Sequence, residues 1–285
     1  MIPTTFEYER ASSLDDAVAK LQAAKGAGKL IAGGHSLVPL MKLRLSEPTV
    51  LIDIARIPDL AEIRVEKDHI EIGALAVHHD VATSSLLKER CPAVADTAAV
   101  IGDPQVRNRG TIGGSLAHAD PAADYPAVML ALDAEFHLKR PNGWRAVKAR
   151  DFFQGVLTVD LGNDEILAKV IFAPAPASAY AKLHQRASRF AIVGVAAALR
   201  VRDGAIESAS VALTGAASCA SRLANVEAAL IGRPPSAETI ALATAGAGET
   251  IDDLNEDIHA SADYRRAMIP VFAKRALGAA VARLG

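Results

Sequence analysis

Cysteine is nearly missing from this 285-residue chain, which carries only Cys91 and Cys219. Cys91 stands before Pro92 at an expected helix start, and Cys219 lies in the small-residue run Ala216-Ala217-Ser218-Cys219-Ala220. Isolated thiols in such dissimilar settings read as buried or indifferent residues, not as a redox pair. An iron–sulfur cluster generally needs four protein ligands, mostly cysteine, so any such cluster would belong to a partner. Charge of one sign is lacking too. The formal net charge is −2 with Lys and Arg spread along the chain, so no basic stripe suits nucleic acid and no polybasic run suits an anionic membrane. The apolar runs are all shorter than a transmembrane segment, and the N-terminus has no basic region ahead of an apolar core. A cytoplasmic location is expected. No His, Cys or carboxylate cluster has metal-ligand spacing, so no metal site is expected in this chain.

Two familiar nucleotide signatures are absent as well. No three-glycine dinucleotide fingerprint occurs, and Gly26-Ala27-Gly28-Lys29 lacks the glycine spacing and the following Ser or Thr of a P-loop. The chain carries instead two glycine pairs, in Ala32-Gly33-Gly34-His35-Ser36-Leu37 and in Thr111-Ile112-Gly113-Gly114-Ser115-Leu116. Taken alone, either pair reads equally as an ordinary turn. Glycine also allows positive φ and lets backbone N–H groups approach an oxyanion, so each loop is expected to form an anion-binding nest. Lys29–Ala32 reads as a short buried strand and Leu37–Met41 as the opening of a helix, with Ser36 as N-cap and Pro39 in the first turn. Such a helix N-terminus offers unpaired N–H groups and the positive dipole end to a phosphate. Two loops of this kind can embrace one dinucleotide.

The remaining pattern is α+β. Ser13-Leu14-Asp15-Asp16 resembles a capping box opening a helix over about 13–25, which Gly26 and Gly28 stop. Leu30-Ile31-Ala32 and Val50–Ile54 are near-continuous apolar strands separated by a helix, which predicts a small parallel α/β layer. Ile63-Arg64-Val65 and Ile70-Glu71-Ile72 alternate around Lys67-Asp68 as a hairpin. Helices are predicted over about Pro92–Ile101 and Ala122–Leu132, a turn at Pro141-Asn142-Gly143, and an apolar strand over Glu165–Phe172. Pro174-Ala175-Pro176-Ala177-Ser178 breaks the pattern and marks a domain boundary. Beyond it, Ala191–Val201 and Ala205–Leu213 flank the hairpin turn Asp203-Gly204. Helices at about 220–231, 236–247 and 261–284 then follow an antiparallel sheet.

The two loops, their separation and the run His118-Ala119-Asp120-Pro121-Ala122-Ala123-Asp124-Tyr125-Pro126 together resemble the FAD-binding medium subunit of the molybdenum hydroxylase family. Carbon monoxide dehydrogenase flavoproteins are the most similar members. Phe6-Glu7-Tyr8, Met41-Lys42-Leu43-Arg44-Leu45, Gly102-Asp103-Pro104-Gln105-Val106-Arg107 and Asp263-Tyr264-Arg265 are further landmarks, so the resemblance runs nearly end to end. It implies a PCMH-type FAD-binding domain of two subdomains, 1–57 and 58–176, and a C-terminal α+β domain, 177–285. It also implies that Ala32, Gly33, Gly34, His35, Ser36 and Leu37 hold the pyrophosphate together with Thr111, Gly114 and Ser115. Asp124 matches the carboxylate for ribose or ribityl hydroxyls, with Asp120 as its companion; either could instead cap the turn or helix near Ala122. Ile101 is placed at the cofactor, as is His79 of the pair His78-His79. Phe190 takes the position of an aromatic ring over the isoalloxazine, where the most similar members carry Tyr, and core packing is its bland alternative. Lys182 would be a cation near the flavin.

The activity so implied is electron transfer from a partner's iron–sulfur clusters through FAD to an external acceptor, with substrate oxidised at a molybdenum cofactor in a large subunit. No acid–base catalyst is expected. Two other readings stay open: a self-contained flavin oxidoreductase, for which His79 is the one candidate acid or base, and a non-catalytic nucleotide-binding scaffold.

Overall fold

The structure is a computed structural model describing residues 2–284, so Met1 and Gly285 of the first and third divisions above lie outside the described residues. The first layer is a three-stranded parallel sheet in the order Glu7–Arg10, Val50–Asp53, Gly28–Ile31. Helix Leu14–Ala23 buries Ala17, Val18 and Leu21 in the same core as Ile52. The Ser13 hydroxyl caps this helix by accepting from Asp16 N–H at 3.1 Å, while the Asp16 carboxylate reaches back to Ser12 N–H at 2.8 Å. The capping box is therefore closed one residue earlier than its reciprocal form.

A five-stranded antiparallel sheet follows, in the order Ile63–Glu66, His69–Gly73, Ile166–Phe172, Glu135–Arg140, Gly143–Lys148. Both expected hairpins flank the apolar strand as its neighbours, and the buried ring of Phe136 meets that of Phe152 edge-on at 4.6 Å. The helix expected from Ala122 begins later, at Tyr125–Ala131. Asp120 Oδ1 accepts from Ala122 N–H at 2.8 Å and Asp120 O from Ala123 N–H at 2.9 Å, a local turn that stands ahead of the helix.

The third layer is an antiparallel sheet in the order Ser178–His184, Ala191–Arg202, Ala205–Thr214, Ser221–Arg222. At its central hairpin Asp203 and Gly204 both have positive φ, +52° and +76°, the geometry that matches the twist of the two strands. Residues 191–199 of this second strand are almost continuously buried because the sheet is covered on both faces. Ala196 and Ala212 join the core of the five-stranded sheet, with helices Pro92–Val100 and Tyr125–Ala131 between. Val193, Val195, Ala197 and Leu199 face helices Ala224–Leu230, Ala237–Thr244 and Ala262–Val281. Such two-sided burial selects near-continuous apolar strands. Cys91 is buried at the start of Pro92–Val100, and desolvation pushes its thiol up to about 12, which leaves it an inert core residue.

Candidate functional site

Strand Gly28–Ile31 ends at the first glycine pair, and the chain enters helix Leu37–Lys42. Among the described residues, the N–H groups of Gly33, Gly34, His35, Ser36 and Leu37 find no internal acceptor. Five consecutive open donors at a strand-to-helix turn form a nest for an oxyanion. Gly34 sits at φ +73°, a conformation open to glycine at little steric cost. The expected N-cap role of Ser36 is corrected: its backbone is already helical, at φ −103° and ψ −50°, and its hydroxyl makes no capping bond. Val38 N–H, which such a cap would have bonded, donates instead to Gly34 O at 3.0 Å, and Pro39 carries no N–H.

The second loop differs from the expected second nest. Ile112 N–H donates to Ala76 O, Gly113 N–H to Ala74 O, Gly114 N–H to the Thr111 hydroxyl and Ser115 N–H to Thr111 O, at 2.9–3.1 Å. Thr111 is the N-cap of helix Ile112–His118, so two donors are spent on Thr111 and two on the carbonyls of Ala74 and Ala76. What remains for a ligand is the bare, exposed Cα of Gly114 and the hydroxyls of Thr111 and Ser115. The two loops also touch each other. A Cβ on Gly33 would overlap the Arg109 carbonyl oxygen and lie 2.8 Å from Gly110 Cα, so glycine at 33 is what lets the loops close on one another. Gly113 serves a similar purpose against Ala74, where a Cβ would lie 2.7 Å from the carbonyl oxygen.

Between the loops opens a cavity of about 700 Å³, within the range of cofactor sites. Ala32, Gly33, Gly34, His35, Ser36, Leu37, Ile101, Thr111, Gly114, Ser115, Asp120, Asp124 and Phe190 all line it. Ile101 and Gly102 are held in the wall by the Arg107 guanidinium, which donates to both carbonyls at 3.0 Å. His79 does not line the cavity, and His78 does. Successive residues of helix His78–Thr83 are rotated by about 100°, so the buried face that carries His78 and Val81 turns His79 outward.

Sequence reasoning missed one wall, the segment from Leu157 to Leu167. It is fixed by Arg145, whose guanidinium donates to both Glu165 carboxylate oxygens at 2.8 and 2.6 Å and to Asp160 at 2.7 Å. These partners lie fifteen and twenty residues from Arg145, so no local spacing announces them.

Asp124 is 4% exposed and in the cavity wall, yet it caps nothing. Its Oδ1 accepts from the Tyr180 hydroxyl at 2.5 Å and its Oδ2 pairs with the Lys182 ammonium at 2.9 Å. Burial pushes the carboxyl up from its ordinary range, and the charge of Lys182 and the hydrogen bond from Tyr180 oppose that shift. Lys182, expected as a cation near the flavin, is placed as a buried partner of Asp124, its side chain 3% exposed and outside the cavity lining. Asp120 lines the cavity while its carboxylate turns the backbone at Ala122.

His78 is 4% exposed, with Nδ1 3.2 Å from the Tyr125 hydroxyl. Burial lowers its pKa from 6.5 to about 4, with the charges of nearby His35 and Arg107 acting in the same direction. The unfolded chain takes up a proton near pH 6.5 that the folded chain refuses until about pH 4. Stability from this group is thus complete above pH 6.5 and is lost as pH falls through the window, by about 3 kcal/mol in all. The stability difference between the wild type and His78→Gln, measured by urea unfolding, is expected to shrink by that amount from pH 7 to pH 4. A difference independent of pH would remove the buried neutral imidazole as its cause.

An open N–H nest, a glycine-faced hydroxyl loop opposite and a buried carboxylate further along suit a dinucleotide. The family described as "FAD binding domain in molybdopterin dehydrogenase" matches residues 4–176, and "CO dehydrogenase flavoprotein C-terminal domain" matches residues 178–280. The carbon monoxide dehydrogenase medium chain of Hydrogenophaga pseudoflava is 41% identical over 286 residues, covering 99% of each chain. A subunit of the 6-hydroxypseudooxynicotine dehydrogenase complex of Paenarthrobacter nicotinovorans is 36% identical, covering 99% of this chain and 97% of the relative. In the solved carbon monoxide dehydrogenase from Hydrogenophaga pseudoflava that lacks the Mo-pyranopterin moiety, one chain matches with TM-score 0.95 and 42% identity over 100% of both chains. The chain belongs to the FAD-binding medium subunits of the molybdenum hydroxylase family, and its cofactor is FAD.

Proposed function

We propose that this chain is an electron-relay subunit, taking electrons from iron–sulfur clusters of a small subunit and passing them through FAD to an external acceptor. A large subunit carrying the molybdenum cofactor completes the assembly, and substrate choice belongs to it. The observation that carries the reading is the open nest at Gly33–Leu37 facing the Thr111–Ser115 loop across one cavity, in a chain whose length matches whole medium subunits. FAD, when bound, accepts electrons singly or in pairs, which suits a post between one-electron clusters and a two-electron acceptor.

In this reading the N–H groups of Gly33 to Leu37 take the pyrophosphate, helped by the positive end of the helix they open. Thr111 and Ser115 hydroxyls approach from the other side, where Gly114 leaves room. Asp124, and Asp120 beside it, accept from ribityl or ribose hydroxyls, while Ile101 and the 157–167 wall supply apolar contact and exclude water. Phe190 covers the ring with an apolar face and no phenolic hydrogen bond. The divisions 1–57, 58–176 and 177–285 belong to the same proposal.

The purified chain, alone or with its partners, is expected to show flavin absorption and to release FAD on heating. Within the purified complex, chemically reduced clusters are expected to bleach the flavin band, and removal of FAD is expected to stop reduction of an added acceptor while the clusters still reduce. A chain that takes up no flavin from excess FAD would sink the cofactor assignment; clusters that reduce the acceptor equally well without flavin would sink the relay.

A further inference from the structure

The loop between strands Ser178–His184 and Ala191–Arg202 brings Ser188, Arg189 and Phe190 to the cavity. Most of its hydrogen bonds are internal. Gln185 N–H donates to Phe190 O at 2.8 Å, Arg189 N–H to Gln185 O at 2.9 Å and the Ser188 hydroxyl to Gln185 Oε1 at 2.9 Å. Bonds of this kind shape a loop without fixing where it lies, and Arg189 is held at φ +61°, a conformation unfavourable for a residue with a side chain. Among the described residues, two bonds tie the loop to the body of the protein. One is Ala191 N–H to Ala122 O at 3.1 Å, at the loop's end. The other is the Lys182 ammonium, which donates to Arg189 O at 2.7 Å while paired with Asp124. Asp124 is in turn fixed by the Tyr180 hydroxyl, which fits only because residue 194 is glycine: a Cβ there would overlap it.

We infer that Lys182 is a positioning residue that latches the 185–190 loop to Asp124 in the cavity wall, and so sets Phe190 against the ring system of bound FAD without touching the cofactor. The inference rests on the FAD reading for what Phe190 meets, but the latch is a property of the chain itself. Its chemistry is specific: one buried ammonium is shared between a carboxylate and a backbone carbonyl, so it locates the loop by a main-chain atom that no side-chain change in the loop can supply. Charge-assisted bonds are the strong kind, and losing the one from the buried ammonium to Arg189 O frees the segment it holds.

The test uses the full chain with Lys182→Met, Lys182→Arg, and the double variant Asp124→Asn/Lys182→Met. The double variant removes both charges together, so neither is left orphaned in the interior and the fold is retained if the single change proves disruptive. Amide hydrogen exchange at Gln185 and Arg189 is read without flavin. It is expected to quicken by about tenfold or more in both methionine variants, to recover in part with Lys182→Arg, and to stay unchanged in strand Ala205–Thr214. Unchanged exchange at Gln185 and Arg189 overturns the latch. FAD and ADP affinities are then compared for Lys182→Met, Phe190→Ala and the two combined. Each single change is expected to weaken FAD by about tenfold, the combination no more than either alone, and ADP binding by none of them. Additive losses mean that Lys182 touches the flavin directly and overturn the positioning role. A wild-type chain that binds neither FAD nor ADP removes the FAD reading, and exchange alone then decides the latch.

Discussion

Gly33→Ala is expected to lower FAD affinity by about 100-fold or more, a loss of roughly 3 kcal/mol. The added methyl overlaps the Arg109 carbonyl oxygen and presses on Gly110 Cα, both backbone atoms that cannot rotate away as a side chain would. The first loop must then retreat from the second, which opens the gap that the pyrophosphate spans and spoils the alignment of the N–H groups from Gly33 to Leu37. Overpacking of this kind also costs stability, about 1–3 kcal/mol. Isothermal titration with FAD, alongside thermal unfolding, separates the two effects. Gly143→Ala is the control: it removes a glycine at a hairpin turn where a Cβ meets nothing within 4 Å, so any cost there comes from φ +116° and leaves FAD affinity intact. Equal affinity in the Gly33→Ala chain would show that the loops need not meet.

Asp124→Ala is expected to be the most destabilising change at the cavity, by about 3–5 kcal/mol, because it strands the buried Lys182 ammonium and leaves the Tyr180 hydroxyl without its acceptor. Differential scanning calorimetry reads the result as a melting temperature lower by roughly 10 °C for a chain of this size. Asp124→Asn keeps an acceptor for Tyr180 and is expected to cost less. Removing Lys182 together with Asp124 is expected to recover much of the loss, since a buried pair replaced as a unit leaves no unpaired charge. Asp151→Ala, whose pairing with Arg150 is two-thirds exposed on both sides, supplies the comparison at under 1 kcal/mol. An Asp124→Ala chain as stable as the Asp151→Ala chain contradicts the role given to the buried network.

The elements legible in the sequence are those whose cause is local. Asp203-Gly204 adopts the two positive φ values that its hairpin requires, and Pro141-Asn142-Gly143 turns where its residue types say it must. Ser13 caps its helix, and the apolar run Ala191–Leu199 becomes a strand buried on both faces. Both glycine loops lie on one cavity. A further signal was present and unused: Val81, three residues after His78, marks the buried face of that short helix and so favours His78 over His79 as the cavity residue. Turn chemistry offered Asp120 as a cap near Ala122 without deciding where the helix would start, and the side-chain bond to Ala122 N–H goes with a start at Tyr125.

By itself the sequence determined the two glycine loops, the strands and helices around them and the shortage of thiols, because each follows from residue type within a few positions. Tertiary structure alone decided that the first loop keeps its N–H groups open while the second spends them, that Gly33 is the point where the loops touch, and that the 157–167 segment forms a wall. It also decided that Lys182 serves Asp124 from 58 residues away and not the cavity directly. These outcomes depend on where separate elements come to rest against one another, which is fixed by the summed packing of the sheets and the helices between them, and no spacing along the chain encodes it.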